Sequence, residues 1–153
     1  MIGPLGPLGT DCLHRARRRV INIMLITALG IAVSGVILRA SPTGAFPFPR
    51  ERTRQLAQLL LFTLALASIW LRVRLHVHEG EPMTTRADRF VSFRTASSVA
   101  AALGVPLGLA YSWAIEPDLA AVAPFWAVAL GFNVLAIPRS SQVESLGLDG
   151  SNA

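Results

Sequence analysis

The chain has 153 residues, 52% hydrophobic and 15% charged, with a formal net charge of +5 and a mean hydropathy of +0.51. Soluble domains carry roughly 25% charged residues, so this balance excludes an ordinary water-soluble domain and leaves no length for a second one. The single cysteine, Cys12, excludes an intrachain disulfide and a cysteine-pair metal site.

All fourteen basic residues are arginine. Basic surfaces can neutralise nucleic-acid phosphates, but these arginines flank apolar runs, where they anchor helices and attract anionic headgroups. The expected partner is therefore the lipid bilayer and not a nucleic acid.

The chain opens on "MIGPLGPLGTD", whose glycines and prolines predict disorder. Residues 1–19 read as a disordered basic tail, with Arg17, Arg18 and Arg19 at the membrane interface. The first of four runs free of Asp, Glu, Lys, Arg and His follows at 20–38. Its apolar core of 19 residues exceeds the roughly 7–15 of a signal peptide. Arg39 also stands where a signal peptidase needs small residues, so the run reads as a retained spanning helix.

The other uncharged runs cover 55–71, 95–115 and 119–137. A spanning helix needs about 20 apolar residues; the second run has 17. There, Arg72 and Arg74 can snorkel while Val73, Leu75 and Val77 extend the apolar surface. The first loop, "SPTGAFPFPRE", holds three prolines and cannot be helical throughout.

The stretch "LHVHEGEP", residues 75–82, brings together His76, His78, Glu79 and Glu81 as the only metal-ligand candidates. On a helix the two histidines would lie about 200° apart; only an extended chain would put them on one face. Zinc takes three or four protein ligands, and only His14 remains as a further histidine. No cofactor is expected.

Residues 84–94, "TTRADRFVSFR", read as an interfacial lead-in to the third span. Thr85 and Asp88 have capping-box spacing, Phe90 and Phe93 share a face for the headgroup region, and Arg86 and Arg89 stand ready for lipid phosphates. Within the third run, Pro106 predicts a kink near 102–106.

Hydrophobicity cannot drive one spanning helix onto another in lipid; close contact between small residues can. Ala96, Ala100, Gly104, Gly108 and Ser112 recur at every fourth position, as do Ala123, Ala127 and Gly131. These stripes predict close packing of the third and fourth spans. Asn133 and Tyr111 are the in-membrane groups placed to hydrogen-bond across helices. The residues after the last span, 138–153, read as a flexible tail.

Orientation follows from arginine in the flanks. The N-terminal tail, the segment between the second and third runs, and the C-terminal tail hold ten; the other side holds four, at 39, 50, 52 and 54. The sum is an all-α membrane protein of four transmembrane helices in two hairpins, a bundle in a bacterial inner membrane with both termini cytoplasmic.

Charge-free spans weigh against proton relays and intramembrane catalysis, which need ionisable or activating groups. The leading functional expectation is a non-enzymatic accessory, assembly or interaction subunit, packing on itself or another membrane protein. The alternatives are a holin-like or small-solute pore, and a metal-binding or enzymatic protein built on the His76/His78 segment.

Overall fold

The computed structural model describes residues 6–40, 50–73, 82–115, 119–145 and 147. They form six helices: α1 Pro7–Ala40, α2 Arg50–Val73, α3 Met83–Ala102, α4 Gly104–Ala114, α5 Leu119–Ala136 and α6 Ser140–Glu144. With α3 and α4 taken as one span, four helices are long and apolar enough to cross a membrane.

Two spans are much longer than their uncharged runs. The 34 residues of α1 extend about 51 Å at 1.5 Å per residue, well beyond a hydrocarbon core of about 30 Å. Residues 7–19, expected to be disordered, are helical. Pro7 occupies the first turn, where a missing N–H costs nothing, and Leu8, Cys12, Leu13 and Ala16 form an apolar stripe between the arginines. Asp11 and Arg15 add an ion pair at 3.0 Å, the i,i+4 spacing of helix neighbours.

This stripe explains where the lead-in to the third span goes. Cys12, Leu13, Ala16, Ala87, Phe90, Val91 and Val143 form one core cluster, with Leu8 packed against it. Phe90, expected among headgroups, is only 1% exposed, because α1 gives it a protein surface to cover; Phe93 is half-buried. Burying a phenylalanine contributes about 1.5–3 kcal/mol. The capping box does not form either. Pro82 is the N-cap of α3 and no side chain caps it, while Asp88 meets Arg15 at 3.4 Å. Val143 belongs to α6, so the tail after the last span is also partly ordered.

The helix is interrupted at Leu103, between α3 and α4, although Leu103 N still donates to Val99 O at 3.2 Å and Leu103 O accepts from Leu107 N at 3.2 Å. Pro106 lacks the N–H that would bond the carbonyl of Ala102, four residues back, which accounts for an interruption in the expected place. Both α1 and α2 lean on α3 and α5, and they are not in contact with each other among the described residues. Helices α4 and α5, by contrast, pack directly.

That last contact follows a different geometry from the one the stripes predict. At 3.6 residues per turn, a four-residue step overshoots a full turn by about 40°. Ala96 and Ser112 are four steps apart, so they diverge by about 160° and cannot share a face. Gly104, Gly108 and Ser112 are buried, Ala100 is half-buried and Ala96 is exposed. On α5 the buried seam is Val122, Phe125, Ala129, Asn133 and Ala136, spaced by three and four. Ala123, Ala127 and Gly131 are exposed. The contact is bulky side chains against glycine: a Cβ built on Gly108 would lie 2.9 Å from Phe125 Cβ and 3.0 Å from Val122 Cγ1.

Candidate functional site

Among the described residues, buried polar side chains tie helices together at Asn133 and at Ser68. At the first, Asn133 of α5 is fully buried. It pairs with Ser98 of α3, its Nδ2 donates to Thr27 Oγ1 of α1 at 3.4 Å, and the same amide donates to Ala129 O at 2.9 Å. Three helices are tied through one amide, as its in-membrane position suggested. Tyr111 instead packs its ring on Phe125, with centroids 5.1 Å apart.

At the second, Ser68 of α2 and Ser97 of α3 bond each other's backbone. Ser97 Oγ donates to Ser68 O at 2.9 Å and Ser68 Oγ donates to Ser97 O at 3.1 Å. Each hydroxyl then has a lone pair free, and Arg72 uses both. Its Nε donates to Ser97 Oγ at 2.9 Å and its Nη2 to Ser68 Oγ at 3.3 Å. Nη2 also donates to Phe132 O, and the guanidinium lies 5.5 Å from the centre of the Phe132 ring. Arg72 therefore joins α2, α3 and α5. Sequence reading placed it at the membrane interface and missed the pair of serines beneath it.

Beyond Arg72 opens a cavity of about 620 Å³, lined by Arg17, Arg72, Arg94, Val134, Leu135, Ile137, Pro138, Arg139 and Gln142. Arg17 Nε donates to Pro138 O at 3.1 Å, closing the rim where α5 ends beside α1. Arg94 is 5% exposed. Its guanidinium sits 5.3 Å over the Phe90 ring, and its Nε has no hydrogen-bond partner. Among the described residues, no carboxylate lines the cavity. Arg94 is the last residue of the "TTRADRFVSFR" stretch, but its burial was not legible without α1 as a neighbour.

A second cavity of about 690 Å³ lies at the other end of α2, between Glu51, Arg54 and Gln58 and the Tyr111 and Phe125 pair. The glycine contact of α4 with α5 and the Asn133 junction lie between the two cavities.

Arg17, Arg18 and Arg19 are exposed on α1, and Arg86 and Arg89 are half-buried on α3. Arg74, His76, His78, Glu79 and Glu81 lie outside the described residues. Among the described residues, no three His, Cys, Asp or Glu side chains converge.

No family model matches this sequence, and no curated protein or solved structure matches it either.

Proposed function

We propose that the protein is a multi-pass, non-enzymatic subunit of a bacterial inner membrane, with both termini cytoplasmic, which acts by packing against a membrane partner or a second copy of itself. One observation carries this reading. The small residues Ala123, Ala127 and Gly131 are turned outward on α5, and a Cβ on Gly131 would meet nothing within 4 Å. Small residues at this spacing let a second helix approach closely in lipid. The buried hydroxyls and the amide support it too, since they serve helix-to-helix bonds. Arginine weighting supports the orientation.

Cross-linking in native membranes, followed by sizing in mild detergent, tests the proposal. The wild-type chain is expected in adducts larger than a monomer, and Ala127→Leu with Gly131→Leu is expected to disperse them while the fold persists. A lone monomer in membranes, with no cross-linked species, overturns it. Reporter fusions at each terminus test the orientation; activity of a periplasmic reporter at either end overturns that part.

A further inference from the structure

Four arginines converge on one cavity with no acidic neighbour lining it among the described residues. Arg17, Arg72, Arg94 and Arg139 come from α1, α2, α3 and the turn before α6, and no ion pair joins any of them to another described residue. A buried charge is costly unless it is paired and hydrogen-bonded. Arg72 meets that demand in part through Ser68, Ser97 and Phe132. Arg94 does not: it is buried, stacked on Phe90, and its Nε is unpartnered. The missing partner is an acceptor carrying negative charge.

We propose that this cavity binds the phosphate group of an anionic ligand, with Arg94 and Arg72 at its floor and Arg17 and Arg139 at its rim. Phosphate fits the donor set, because the planar guanidinium fork binds it through two parallel N–H bonds, and several cations can share its oxygens. Val134 and Leu135, 56% and 62% exposed, form a wall that continues onto the outer surface of α5. An acyl chain can lie along that wall with its headgroup among the arginines, as in other basic pockets between spanning helices. A water-soluble phosphate would use the same arginines and leave the wall empty.

The full chain, reconstituted in phosphatidylcholine nanodiscs with or without phosphatidylglycerol, separates these sources. In the lipid arm, native mass spectrometry after release into detergent is expected to show phosphatidylglycerol retained and phosphatidylcholine lost. In the soluble arm, pyrophosphate is added to the phosphatidylcholine sample and the melting temperature is read. Retention of phosphatidylglycerol alone identifies a headgroup site. A rise in melting temperature with pyrophosphate identifies a soluble phosphate; both results uphold the phosphate chemistry.

Arg17→Gln with Arg139→Gln removes two exposed rim charges and is expected to weaken binding roughly tenfold. Arg52→Gln with Arg54→Gln removes the same charge at the other end of α2 and is expected to leave binding unchanged. Slow alkylation of the buried Cys12 verifies folding in each variant. The proposal is overturned by equal loss in the two double variants, which marks diffuse attraction. It is overturned equally by neither phosphatidylglycerol retention nor a pyrophosphate shift in the wild type.

Discussion

Ser68 and Ser97 each donate to the other's main-chain carbonyl, with their hydroxyl oxygens 2.9 Å apart. The pair brings α2 and α3 to close contact at a point where a larger side chain would hold them apart, and it builds the acceptor surface on which Arg72 rests.

Replacing both serines by alanine is therefore expected to loosen α2. Interhelical hydrogen bonds in lipid are worth about 0.6 kcal/mol on average and up to about 1.7, so the double variant should lose about 1–2 kcal/mol in reversible unfolding by SDS. Because Arg72 depends on both, the single losses should not add. Ser68→Cys with Ser97→Cys, in a Cys12→Ala background, should form a disulfide on mild oxidation, read as a shift in gel mobility. Failure to cross-link counts against this register of α2 on α3.

Two glycines of the same span pair should behave oppositely. Gly108→Ala drives a Cβ into Phe125 and Val122, and overpacking of this kind costs about 1–3 kcal/mol. Gly131→Ala meets open space and should change stability by no more than about 0.5 kcal/mol. Unfolding in SDS compares them directly; equal effects would mean that α4 and α5 meet on another face.

Cys12 reports on the cluster outside the uncharged runs. It is fully buried against α3, with its thiol 3.6 Å from Ala87 O. A maleimide should modify it slowly in the folded protein and rapidly in SDS. Phe90→Ala removes the largest side chain of that cluster, at a cost of about 3–5 kcal/mol in a well-packed core, and should make Cys12 reactive without denaturant. Mass spectrometry reads both rates.

The histidine segment makes a separate prediction. Two histidines that a helix would set about 200° apart should not hold zinc in stoichiometric amount, because zinc takes three or four converging protein ligands. Atomic absorption should give the same low zinc content for the wild type and for His76→Ala with His78→Ala. One zinc per chain, lost in the variant, would place a metal site there.

Much of this architecture was legible because a missing charge is a strong signal. The runs at 20–38, 55–71, 95–115 and 119–137 fall inside the four helices that can cross a membrane, apart from the final residue of each of the last two. The extensions were not legible to the same degree. Residues 7–19 mix glycine and proline with arginine, and their apolar stripe matters only once α3 lies alongside. Packing was misread for a geometric reason, since a strict four-residue period winds around the helix instead of tracking a straight seam. The arginine cavity was hidden because its members stand at positions 17, 72, 94 and 139, joined by the tertiary fold and by no local motif.

The unbroken course of α1 has a mechanical consequence. From Pro7 to Ala40 nothing interrupts its hydrogen-bond ladder, so it behaves as a stiff lever whose two arms sit in different solvents. A push that tilts Leu13 against Val91 and Val143 must also swing Gly30, which rests near Val105. Whatever presses on the polar arm is thereby felt in the oily one.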